Sequence, residues 1–227
     1  MEDVVRTGSG IQIILDGVSR DRENGVYPNP SPAKEASDIV ADTVFETISK
    51  NLDSADINGL IYNAAAKAND MLIEFNKENA CFPSGTVGIF SVIKDDVFYY
   101  AYIGDSSGRL IRSGEVTLFT EHQTKRVVEN KAKLTTHEIR NVICNNKEHP
   151  FSYGVINGDS RAMDFLVSGS FEVHGGDVLI LSTDGAEDYL SSLSAEKLAE
   201  LSADDIVRNA LGFKEVCDDT AVVVVGL

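Results

Sequence analysis

Residues 86–103 read Thr86-Val87-Gly88-Ile89-Phe90-Ser91-Val92-Ile93, then Lys94-Asp95-Asp96, then Val97-Phe98-Tyr99-Tyr100-Ala101-Tyr102-Ile103. Two runs rich in β-branched and aromatic residues, split by a short charged insert, read as strand, turn and strand. A third such run, Gly108 to Phe119, follows Gly104-Asp105-Ser106-Ser107-Gly108, so the pattern predicts a meander of antiparallel strands. Working upstream, Leu60, Ala64, Ala68, Met71, Leu72 and Phe75 recur at three or four residues and predict a helix from about Asp56 to Asn76. Ser31-Pro32 opens an earlier helix, with Pro where a first turn tolerates it and with Ile39, Val40, Val44 and Ile48 at helical spacing. Before both stands Ile11 to Leu15, a β-branched run closed by Asp16-Gly17, read as a buried strand running into a turn. Arg6 to Gly10 reads as a hairpin turn.

Downstream, Glu121 to Tyr153 is polar with weak periodicity. Val178 to Ser182 and Ala221 to Val225 are continuous apolar runs of the kind found in strands buried on both faces, and Ser194 to Leu211 between them reads as one helix. No repeat, low-complexity tract or composition break marks a linker. The expectation is a single α/β unit over residues 1–227, with helices packed on antiparallel sheets and residues 123–157 as a flap.

With 43% hydrophobic and 25% charged residues the composition is that of a globular protein with a sizeable core. A net charge of −16 disfavours nucleic acid, whose phosphate backbone the field would repel. Cys81, Cys144 and Cys217 are odd in number and irregular in spacing, which offers neither a disulfide framework nor a CxxC site. No apolar run is long enough to span a bilayer, and the expectation is a soluble, cytoplasmic protein with no membrane partner.

Four acidic sites share a local grammar in which an apolar β run ends in Asp beside a small residue or a second Asp: Leu15-Asp16-Gly17, Ile103-Gly104-Asp105, Ser182-Thr183-Asp184-Gly185 and Cys217-Asp218-Asp219. Carboxylates held at strand ends suit Mg2+ and Mn2+, which prefer oxygen ligands. Each alone is an ordinary turn signal; the repetition is informative.

In chain order these residues resemble the PPM family, the type 2C protein serine/threonine phosphatases. Glu2-Asp3 looks like the family's early Glu-Asp pair, and Ile13 to Gly17 like its strand ending in Asp-Gly. Ser84-Gly85-Thr86 is similar to its small-Gly-Thr strand entry, and Gly104-Asp105-Ser106 to its Gly-Asp-Ser turn. Thr183-Asp184-Gly185, with Asp188 following, and Asp218-Asp219 ahead of Val222 to Val225 complete the series. The resemblance implies a central antiparallel β-sandwich flanked by helices, a four-layer αββα fold of the α+β type. It also implies hydrolysis of phosphoserine and phosphothreonine on proteins, in signalling, by a water held between two Mg2+ or Mn2+ ions. Asp16 would bridge the ions and the Gly17 carbonyl complete one shell, with Asp184 and Asp218 holding the other. Asp3 and Glu2 would act through water, and Asp105 and Asp188 would serve a weaker third cation. Asp16, Asp184 and Asp218 are thus the expected catalytic residues.

The sequence departs from the family in three places. No Arg on a preceding strand stands ahead of Glu2-Asp3 to grip the substrate phosphate, and Arg6 and Arg20 are the nearby candidates for that task. Val18-Ser19-Arg20 replaces the usual Gly-rich continuation after Asp16-Gly17. Ala221 holds the place where Thr follows the last ligand by three residues. Sliding that register by one would put Cys217 at the ligand position, which a hard cation disfavours, so Asp218 is the expected ligand and Asp219 the alternate. His122 reads as a loop residue rather than a ligand. The competing reading is a binding or regulatory module that keeps the fold without the catalysis. GxSxG and GxxxxGK[ST] motifs are both missing, which removes support for a serine hydrolase or a P-loop enzyme.

Overall fold

A computed structural model describes residues 2–18, 29–78, 84–213 and 219–227. Asp218, Arg20, Cys81 and Cys217 lie outside the described residues, as does Ser19. The chain opens with a hairpin, β1 (Val4–Gly8) and β2 (Ile11–Val18), whose turn carries Ser9 and Gly10 at positive φ. Two long helices follow, α1 (Pro32–Ser49) and α2 (Ile57–Glu78). Ser31 caps α1 by accepting from the Lys34 amide at 3.2 Å, with Pro32 in the first turn as the sequence predicts. Next come β3 (Gly85–Lys94), β4 (Val97–Ile103), β5 (Ser107–Arg112) and β6 (Glu115–Leu118). A stretch of short helices then includes α3 (Lys125–Asn130), which runs into a 3-10 turn at Lys131–Lys133, and the one-turn α4 (Thr136–Glu138). The chain ends with β7 (Val167–Glu172), β8 (Val178–Ser182), α5 (Glu187–Ser191), α6 (Ala195–Glu200), α7 (Ala203–Leu211) and β9 (Val222–Gly226).

The strands form two antiparallel sheets, one ordered β1-β2-β3-β4-β7 and the other β6-β5-β8-β9. Alternation along each strand sorts its side chains into layers. Ile13 and Leu15 of β2 pack with Val40, Val44, Ile61 and Leu72 of the two long helices, while Ile14 between them packs inward with Ile89, Leu179 and Leu181. Across the second sheet, Leu179 and Leu181 face the sandwich interior, and Ile180 faces Leu190, Leu198 and Ile206 of α5 to α7. The result is the expected αββα stack. Strands covered on both faces explain the unbroken apolar runs at 178–182 and 222–225.

Several expectations are corrected. β2 does not end at Asp16-Gly17: both residues stay in the ladder, opposite Val87 and Thr86, because pairing with β3 satisfies their backbone groups. The meander is split, since β4 pairs with β3 and β7 whereas β5 belongs to the other sheet, and the Gly104-Asp105-Ser106 turn carries the chain across. The run 108–119 is itself a hairpin, turned by Ser113 and Gly114 at φ 52 and 80. Residues 194–211 form two helices rather than one. Leu201 is extended, and Ser202 restarts the helix with a capping box to Asp205. Among the described residues no helix is long and apolar enough to cross a membrane.

Candidate active site

Asp16 is half-buried near the end of β2, and its carbonyl accepts a 2.7 Å hydrogen bond from the Thr86 hydroxyl on β3. Thr86 is itself fully buried and accepts from Ser37 of α1 at 3.0 Å, so helix and strand together fix the backbone at Asp16. Gly17 sits where the N-terminal segment and the start of α1 converge. A Cβ there would lie 2.8 Å from Glu2 Cβ and 3.1 Å from the carbonyl oxygens of Ala33 and Glu2, so glycine alone permits the approach.

Glu2 accepts from the Ser31 hydroxyl, and its amide donates to Asp219 Oδ2. Asp3 is 6% exposed, and its Oδ2 accepts from the Thr183 hydroxyl at 2.7 Å. The same Thr183 oxygen accepts from the Ala221 amide at 2.9 Å, while the Thr183 amide donates to the Ala221 carbonyl. One side chain therefore joins the N-terminal segment, the end of β8 and the entry to β9. Gly185 packs directly on the Asp219 carbonyl, which sets the Asp184 turn beside Asp219.

Asp105 follows β4, and its Oδ2 accepts from the Thr124 hydroxyl at 2.9 Å. The neighbouring Gln123 bonds through backbone and side chain to Gly104 and through its side chain to Gly154 and Phe165. This pins the start of the 123–157 segment to the Gly-Asp-Ser turn. The middle of that segment is not merely solvated: Val127, Ile143, Cys144, Tyr153 and Val155 form a small core with Val87.

These elements enclose a cleft of about 390 Å³. It is lined by Glu2, Asp16, Gly17, Asp105 and Asp219 together with Val127, Val128, Lys131, Ile139 and Tyr153. Asp3, Asp184 and Asp188 are not among its lining residues. Asp3 is buried behind it, Asp184 begins the turn packed on Asp219, and Asp188 is exposed on the first turn of α5. Among the described residues no three His, Cys, Asp or Glu close into a ready ligand set. The donor set that faces the cleft is nonetheless all oxygen, without His or Cys, and fits a hard divalent cation.

A second carboxylate environment adjoins the first. Glu187 accepts from Arg109 at 2.7 Å and also from the hydroxyls of Ser107 and Ser191. Burial raises its pKa, but the hydrogen bonds from Arg109 and Ser107 prevail and hold it at about 2. His122 Nε2 lies 2.8 Å from the same Ser107 hydroxyl. Arg6 is engaged by Asp42 at 2.7 Å and Asp38 at 3.0 Å, on the surface of α1.

Sequence reading quoted Thr183 as part of a motif without giving it a role, and it did not single out Thr124, Gln123 or Lys131. The last could have been found from periodicity, because 124, 127, 128 and 131 share one helical face.

Residues 31–131 match the protein phosphatase 2C family. Comparison with curated protein sequences finds no significant match. Among solved structures, the serine/threonine phosphatase PstP/Ppp of Mycobacterium tuberculosis superposes with a TM-score of 0.75 at 21% identity, over 98% of this chain and 91% of that one. The catalytic domain of PstP in complex with two manganese ions gives 0.72 at 19% identity, over 98% and 90%. MsPP, a PPM Ser-Thr phosphatase from Mycobacterium smegmatis in complex with cacodylate, gives 0.67 at 18%, over 100% and 91%. The match to the protein phosphatase 2C family thus covers residues 31–131, and nearly the whole chain shares the fold of these serine/threonine phosphatases.

Proposed function

We propose that this chain hydrolyses phosphoserine and phosphothreonine on proteins with the help of two Mg2+ or Mn2+ ions, as one phosphatase domain whose 123–157 segment is a flap. The observation that carries this reading is the convergence of Glu2, Asp16, Gly17, Asp105 and Asp219 on one cleft at the end of the sandwich. Carboxylates so gathered repel one another, and hard cations relieve that repulsion. Asp16 would bridge the pair, with the Gly17 carbonyl completing one shell; Asp184 and Asp218 would hold the other, with Asp219 as the alternate. Glu2 and Asp3 would act through water, and Asp105 and Asp188 would serve a weaker third cation.

Ions held there would supply an activated water and offset charge on the attacking and leaving oxygens of an in-line displacement. The chain's own part is orientation. Thr86, Thr183 and Thr124 fix the backbone of Asp16 and the carboxylates of Asp3 and Asp105, the kind of support that keeps a ligand set in place. Among the described lining residues no Ser, Cys or His is present to act as a nucleophile or its base.

The test is turnover of p-nitrophenyl phosphate and of a phosphothreonine peptide with Mn2+, Mg2+ or EDTA, for the wild type and Asp184→Asn. Turnover that requires the cation and drops about 100-fold or more in the variant is expected, in line with the loss of a metal ligand. Absence of turnover despite Mn2+ binding measured by calorimetry would instead make the chain a binding module.

A further inference from the structure

A phosphate monoester carries negative charge into a cleft lined by four carboxylates, on a chain of net charge −16. Building on the phosphatase reading, we infer that Lys131 is the residue that grips the substrate phosphate in this protein. It is the one Lys or Arg among the described residues lining the cleft.

Its position is built by the sequence around it. Thr124, Val127, Val128 and Lys131 follow one another at i, i+3, i+4 and i+7, from the residue before α3 to the 3-10 turn after it, and all four line the cleft. The face is anchored at its start by the Thr124 hydroxyl on Asp105. Its middle is anchored by Val127, buried against Val87 and Tyr153. Lys131 therefore lines the same cleft as Asp16 and Glu2, on a segment held to the turn that carries Asp105. Its ammonium enters no ion pair or side-chain hydrogen bond with any described residue, whereas Arg6 is held on α1 by Asp38 and Asp42 and Arg109 is buried on Glu187. A lysine on an exposed turn is a mobile point charge, suited to following a phosphoryl oxygen as it enters.

The experiment compares wild type, Lys131→Ala, Lys131→Arg and Lys133→Ala in Mn2+ buffer, by p-nitrophenyl phosphate kinetics and by calorimetric titration with inorganic phosphate. Lys133 is two residues on, carries the same charge and does not line the cleft. Losing a charged contact to phosphate should raise both KM and the phosphate Kd about tenfold or more in Lys131→Ala. Lys131→Arg should restore most of the affinity, and Lys133→Ala should stay within about twofold of wild type, as for a remote screened charge. Equal effects of the two alanine substitutions, or a phosphate Kd that Lys131→Ala leaves unmoved, would overturn the assignment. Should the wild type show no turnover, the phosphatase reading fails, and the phosphate titration alone decides the role of Lys131. Tighter phosphate binding by wild type than by Lys131→Ala supports the role; equal binding, or binding by neither, rejects it.

Discussion

Replacing Thr183 by Val keeps the side chain's shape and removes its hydroxyl, which donates to Asp3 Oδ2 at 2.7 Å and accepts from the Ala221 amide at 2.9 Å. Both bonds are buried: Thr183 is fully enclosed, Asp3 is 6% exposed and Ala221 9%. A hydrogen bond to a charged group contributes about 1.5–3 kcal/mol, and a stranded buried donor costs about 1–3 kcal/mol. Some relaxation is expected at a sheet end, so a net loss of about 3 kcal/mol is reasonable. For a chain of this size each kcal/mol lowers Tm by about 2–4 °C, which gives a fall of about 6–12 °C. Calorimetric melting in EDTA measures this without a contribution from bound cations. Thr183→Ser is the control, since it keeps the hydroxyl and loses one methyl group, at about 1 kcal/mol. The reasoning further requires Thr183→Val to weaken Mn2+ binding about tenfold, because Asp3 loses the group that orients it. A Val variant that melts with the Ser variant would refute the account, since the hydroxyl would then contribute nothing to joining the N-terminal segment to β8 and β9.

Gly17→Ala places a Cβ 2.8 Å from that of Glu2 and 3.1 Å from two carbonyl oxygens, so it should lower stability by about 1–3 kcal/mol in urea unfolding, as overpacking does; an unchanged midpoint would contradict the close approach. Glu187, held at about 2 against an ordinary 4.5, binds fewer protons folded than unfolded between those values. Its contribution is thus present in full above pH 4.5 and lost as pH falls toward 2. The urea midpoint of the wild type should therefore drop more steeply than that of Glu187→Gln across this window, and parallel curves would show that the Arg109 pairing carries no folding energy.

What the sequence made legible was whatever a few neighbouring residues decide. The Ser31 cap, Pro32 and the apolar spacing of the two long helices are local signals, and they placed the start of α1 and both ends of α2 to within a residue or two. The runs at 178–182 and 222–225 declared themselves because both faces of those strands are covered. β7 was invisible for the opposite reason. Its residues are mostly exposed, it holds a glycine, and pairing with β4 comes from backbone bonds that no side-chain pattern encodes. At Asp16-Gly17 a genuine turn signal was overridden by pairing with Val87 and Thr86 of β3. The site was legible only as separate strand-end carboxylates. Their convergence depends on contacts such as Glu2 to Asp219 and Asp3 to Thr183, nearly a full chain length apart, and the order of motifs suggested it where no local spacing could.

The donors chosen for these carboxylates carry the last step. Asp177 takes the Arg112 guanidinium, Glu187 takes Arg109, and Asp38 and Asp42 share Arg6, so at these structural sites a fixed cation meets the charge. Around the cleft, Glu2, Asp3 and Asp105 receive hydroxyls from Ser31, Thr183 and Thr124, and Asp219 receives the Glu2 amide. A guanidinium both orients a carboxylate and offsets its charge, whereas a hydroxyl or amide orients it and leaves the charge in place. Groups meant only to hold the fold gain from the first arrangement. Groups meant to hold a divalent cation need the second, because an oxygen already neutralised by arginine has little left to offer Mg2+ or Mn2+. At Asp105 the Thr124 hydroxyl orients the carboxylate without offsetting its charge, which leaves it suited to a divalent cation.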